Sequence, residues 1–70
     1  MKKNKLSVFL KEKRKIFKLT QLEISEKSGV GLRFIREMEQ GKETLRMDKV
    51  NQVLRLFGME LGPILKDREK

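Results

Sequence analysis

Apolar residues along this chain fall into four clusters at helical spacing, separated by short polar or glycine-bearing breaks. Leu6, Phe9, Leu10, Ile16 and Phe17 form the first, a buried stripe on a helix reaching to about Phe17, with Ser7 placed to cap it. Lys11, Lys15 and Lys18 project from that helix, and Arg14 lies at the edge of its stripe, which points to a specific partner. Leu22 and Ile24 face the core from a second, shorter helix ending near Ser28. Phe34, Ile35 and Met38 share one face of a third, which starts near Gly31 or Leu32 and stops at Gly41. Met47, Val50, Val53, Leu54 and Phe57 line a fourth, which begins at Thr44 or Met47, carries Asp48 in its first turn and ends at Gly58. Leu56 falls on the other side of that helix, where a monomer would expose it. The run Met59-Glu60-Leu61-Gly62-Pro63-Ile64-Leu65 alternates at first and then carries glycine and proline, which predicts an extended edge segment. Such an edge needs covering, and pairing with a copy of itself across a two-fold axis would do so.

The stretch from Leu19 to Lys42 organises the rest. Thr20-Gln21-Leu22-Glu23 has the form of a capping box, in which the Thr20 hydroxyl and the Glu23 carboxylate satisfy each other's backbone amides. Gly29 stands where a helix needs a left-handed residue at its C-terminal end. Val30 is placed to plug the angle that follows, and the small Ser25 and Ser28 allow close helix approach. Two helices joined by a glycine-containing turn make a helix-turn-helix, whose second helix enters the DNA major groove. On the third helix Arg33, Arg36 and Gln40 lie opposite the apolar face, with Leu32 and Glu37 at its margins. Arginine suits guanine, glutamine suits adenine, and glutamate accepts from cytosine. Gln21 stands beside the open amides at the start of the second helix, where a phosphate would bind.

Composition narrows the function classes. Seventy residues make one small domain, and so short a chain buries only about 60% of its unfolded surface, so a partner subunit would help. There is no cysteine and no histidine, which removes disulfides, thiolate metal sites and the usual general base. The ten carboxylates suggest no acid/base pair or nucleophile, so no enzyme activity, cofactor or metal is expected. No apolar run approaches the roughly 20 residues that span a membrane, and the N-terminal clusters do not make a signal peptide, so the expected place is the cytoplasm, on the nucleoid. The net charge of +8 is uneven: residues 1–18 hold eight basic side chains against Glu12 alone. That flank suits a polyanion. The expected organisation is a basic tail over 1–5, a helix-turn-helix domain over 6–58, a strand and dimerisation segment over 59–65, and a charged tail over 66–70.

The motifs KRKIFKLTQLEIS and SGVGLRFIREMEQGK are similar to those of the lambda-repressor/Cro-like (XRE) family of helix-turn-helix proteins, over roughly Leu6 to Phe57. The resemblance implies an all-α, compact bundle of four to five helices, with the C-terminal extended segment pairing across a dimer. It implies that Arg14 pairs with Glu39, tying the first helix to the third. It implies base contacts from Leu32, Arg33, Arg36 and Glu37. Phosphate contacts would come from Gln21, Lys42 and Arg46, with Lys11 added from the basic first helix. Two departures stand out: Gly31 offers no capping side chain, and Leu32 has only a thymine methyl or a sugar to pack on.

Within the family, GVGLRFIREMEQGKETLRMDKVNQVLRLFGMELGPI looks more like HipB-like antitoxins. That narrower likeness implies a homodimer joined through Leu56, Met59, Leu61 and Ile64. It also implies a HipA-like kinase toxin as partner, and autorepression of the operon at a palindromic site. The alternatives are a phage-type or stand-alone repressor, and a protein-binding module with incidental DNA affinity. A cationic membrane binder would leave the capped helix-turn-helix unexplained.

Overall fold

A computed structural model of the protein describes residues 4–63. Its four helices are α1 (Lys5–Phe17), α2 (Gln21–Ser28), α3 (Leu32–Gln40) and α4 (Met47–Arg55). They form the expected all-α bundle, with α1 on α3, α3 on α2 and α2 on α4. Among the described residues there is neither a fifth helix nor a strand.

The start of α1 differs from the expected one. Asn4, not Ser7, is the N-cap: its side chain accepts from the Ser7 amide at 2.9 Å, while Ser7 Oγ accepts from the Asn4 amide at 2.9 Å. Ser7 is therefore the third residue of a capping box, and it is buried. The Asn4 amide group also donates to the Gly41 carbonyl at 3.1 Å, fastening the start of α1 to the end of α3. α2 carries the expected box, Thr20 Oγ1 accepting from Glu23 N–H at 3.0 Å and Glu23 Oε1 from Thr20 N–H at 2.8 Å. Gly29 (φ 79°) and Gly41 (φ 91°) end α2 and α3 in the left-handed region, where a side chain would be strained.

Leu10, Ile24, Val30, Ile35, Met38, Val50, Val53 and Leu54 form the core. Each such side chain contributes about 1.5–3 kcal/mol by leaving water. Four sequence expectations are corrected. Ile16 and Phe17, in the last turn of α1, are exposed. Phe17 is left stacking on Phe57, with ring centroids 5.8 Å apart. Leu22 is 51% exposed: it lies about 200° from Ile24 around α2, so one face cannot bury both. Met47 is exposed because it opens α4, where it borders Leu61, Gly62 and Pro63 instead of the core. Leu56 is not displayed but half-buried, since Phe17, Leu19 and Phe57 line an apolar groove with it.

Residues 59–63 form neither helix nor strand but are anchored. The Met59 amide donates to the Leu54 carbonyl at 3.1 Å, and the Leu61 amide to Asn51 Oδ1 at 2.7 Å. Leu61 packs against the core. Ile64 and Leu65 lie outside the described residues.

Candidate nucleic-acid interface

α3 is the element the bundle holds most firmly from behind and leaves open in front. Ile35, Met38 and Glu39 are buried, whereas Arg33, Arg36 and Gln40 are exposed and Leu32 and Glu37 lie at the margins. Gly31 caps α3 without a side-chain hydrogen bond, so the first amides of this helix also face outward.

The turn before α3 is locked by two serines whose small size was the only property legible in the sequence. Ser25 Oγ donates to the Val30 carbonyl at 2.6 Å, and Ser28 Oγ accepts from the Val30 amide at 3.2 Å. Gln52 on α4 donates to the Ser28 carbonyl at 3.4 Å. The angle between α2 and α3 is thus set by side chain–backbone bonds as well as by buried Val30.

Behind α3, Glu39 is the centre of a network. It is 4% exposed and accepts from Arg14 Nε at 2.6 Å, Arg14 Nη2 at 3.1 Å and Gln21 Nε2 at 3.0 Å. The bond to Glu39 raises the Arg14 pKa above its ordinary value, outweighing desolvation, so this group stays a cation. Gln21 spends a donor on Glu39, and it stands where α2 begins. Its position braces α3 from the first turn of α2, and the Gln21 and Leu22 amides, like the first of any helix, lack intrahelical acceptors.

In front, the cations differ in their freedom. Among the described residues Arg36 makes no ion pair. Arg33 Nε lies 3.4 Å from Glu37 Oε2, and Lys42 Nζ lies 3.5 Å from Glu37 Oε1. Arg46 forks onto Asp48, Nε to Oδ1 at 3.2 Å and Nη2 to Oδ2 at 2.8 Å, a pairing that the sequence pattern does not signal. That fork is the main reason the Asp48 carboxyl sits below its ordinary pKa. Because the folded value is lowered, what the fork adds to stability is present at neutral pH and is lost only as acid protonates Asp48. Any phosphate taking Arg46 must compete with it. Lys11 lies half-buried on α1. Of the residues expected at a dimer contact, Met59 is exposed, Leu56 and Leu61 are half-buried, and Ile64 is outside the described residues.

A capped helix, a glycine turn and a second helix with a buried apolar back and an open Arg/Gln front define a helix-turn-helix domain. The chain belongs to the XRE-type helix-turn-helix family, whose pattern matches residues 10–64. It is also similar to the uncharacterized HTH-type transcriptional regulator y4mF of Sinorhizobium fredii (strain NBRC 101917 / NGR234), with 46% identity over 48 residues, 69% of this chain. The match spans 63% of that relative's length. Among the described residues no helix is long and apolar enough to cross a membrane.

Proposed function

We propose that the protein is a sequence-specific DNA-binding transcriptional regulator that works as a dimer in the cytoplasm. More narrowly, it is the antitoxin and autorepressor of a HipBA-like operon, with a HipA-like kinase as partner. The observation that carries DNA reading is the α3 face, with Arg33, Arg36 and Gln40 exposed over a buried Ile35 and Met38. Membership of the helix-turn-helix family and the name of the relative support it. The antitoxin role rests on the likeness of the GLRFIRE and DKVNQVL runs and of MELGPI to HipB-like proteins. Two copies would place their α3 helices in successive major grooves about 34 Å apart.

Fluorescence anisotropy tests this on DNA from the region upstream of the protein's own gene, against a scrambled duplex, near physiological salt. A preference of about a thousandfold or more is expected. Equal weak binding to both defeats sequence reading. Arg33→Ala and Arg36→Ala should each cost about 1–3 kcal/mol on the preferred site and relax preference at one position. Lys42→Ala should weaken the upstream duplex and lower its salt slope by about one, without altering preference at any single base position. A base-position effect from Lys42→Ala, or none from either arginine, overturns these assignments.

Truncation after Gly58 should shift the protein toward monomer in sedimentation velocity. The truncation also strips Leu61 from the core, so Met59→Lys is the cleaner companion, since Met59 is exposed. An intact dimer in both removes this segment from the interface.

A second reading draws on the apolar groove of Phe17, Leu19, Leu56 and Phe57, edged by Lys27. With exposed Ile16 nearby in sequence, it suits a protein partner, so that toxin neutralisation is the main work and DNA affinity is incidental.

A further inference from the structure

Glu37 is the anion on the α3 face, and any role it has toward DNA rests on the proposal that this face meets the major groove. Its side chain is 26% exposed, and its carboxylate lies between two cations, Arg33 and Lys42. Lys42 is bound to this residue twice. Gly41 turns the chain back at φ 91°, the Lys42 amide donates to the Glu37 carbonyl at 3.1 Å, and Lys42 Nζ returns to the Glu37 carboxylate at 3.5 Å. Arg33, with its side chain 92% exposed, has no other ion pair among the described residues.

A carboxylate on a face that approaches a polyanion is repelled by phosphate on every sequence. It also holds two positive groups that would otherwise displace counterions, and that displacement supplies nearly all binding to arbitrary DNA. A base amino group changes the balance. The N4 amino of cytosine donates to a glutamate in the major groove, and a guanine nearby takes the freed arginine fork.

We propose that Glu37 is the specificity-determining residue of this face: it latches Arg33 and Lys42 on DNA of arbitrary sequence and releases them where a cytosine amino group takes its carboxylate. Specificity then comes partly from suppressing wrong contacts, in addition to making right ones.

The test is Glu37→Gln, which keeps the shape and removes the charge, beside Glu43→Gln as a control. Glu43 is exposed, lies in the loop after α3 and makes no ion pair among the described residues. Both variants change net charge equally. Anisotropy is read on the upstream duplex and on the scrambled one across a salt series, with thermal melting as a check on folding. For Glu37→Gln, scrambled DNA should bind about tenfold more tightly, with a salt slope steeper by about one to two. The upstream duplex should gain less or lose, so that discrimination falls by about tenfold or more. Glu43→Gln should leave discrimination unchanged. If the unaltered protein prefers its upstream duplex and Glu37→Gln keeps that preference, or loses no more of it than Glu43→Gln does, the latch is overturned and the DNA-reading proposal stands. If the unaltered protein shows no preference, both fall together.

Discussion

Arg14→Ala is expected to destabilise the protein by about 3–5 kcal/mol, more than Glu39→Ala does, although the two substitutions break the same pair. The asymmetry follows from burial. Without Arg14, the Glu39 carboxylate remains almost wholly inside, with only the neutral Gln21 amide 3.0 Å away to replace a charged fork. Without Glu39, the Arg14 side chain, already 27% exposed, keeps a bond to the Leu19 carbonyl at 3.3 Å and can turn toward water. For a domain of this size each kcal/mol moves the melting midpoint by about 4–8 °C. Arg14→Ala should therefore melt about 12–40 °C lower, and urea melts followed by circular dichroism decide the order. A double variant, Arg14→Met with Glu39→Leu, should recover most of the loss, because no charge is left stranded. The pH dependence has a definite sign. The folded Arg14 pKa is raised, so its contribution is complete below the ordinary arginine value. A larger loss from Glu39→Ala, or a double variant worse than either single one, sinks the stranded-charge account.

This pair also shows how far the sequence alone reaches. Arg14 at the edge of an apolar stripe points to a partner by its position, and the resemblance to the family names Glu39 as that partner. Gln21 as the third member is not legible, because a side-chain amide has no periodicity and its partner lies 18 residues away. The roles of Asn4, Ser25 and Ser28 are hidden for the same reason: each bonds to backbone, and such bonds depend on where the chain happens to turn. The Thr20–Glu23 box and the glycines at 29 and 41 are legible because they act within a few residues of themselves. Most of the corrected apolar positions have a common cause. Ile16, Phe17, Met47 and Leu56 sit in the first or last turn of a helix or just past it, where the 3.6-residue period sets a direction but not which neighbour covers it. The α3 face is readable because all of it lies inside one nine-residue helix.

Ile35→Ala should be the next most damaging change, and it connects that face to the fold. Ile35 is fully buried at the centre of α3, between Arg33 and Arg36 in sequence order. Truncating it removes its burial and leaves a void, at a cost of about 2–5 kcal/mol. A domain of this length is stable by on the order of 4–10 kcal/mol in all, so α3 would be held by little more than Met38 and Glu39. The defect should be reversible by ligand. DNA that binds only the folded protein adds about 2.7 kcal/mol at a hundred times its dissociation constant. The upstream duplex should thus restore much of the melting temperature of Ile35→Ala, whereas the scrambled duplex at equal concentration restores little. Arg36→Ala should behave inversely, melting like the unaltered protein when alone and gaining little from the upstream duplex, since Arg36 is exposed and contributes to the reading face but not to the core. If Ile35→Ala is rescued equally by both duplexes, charge and not base reading drives binding. If it melts as the unaltered protein does, the core does not support the reading helix in the way its burial requires.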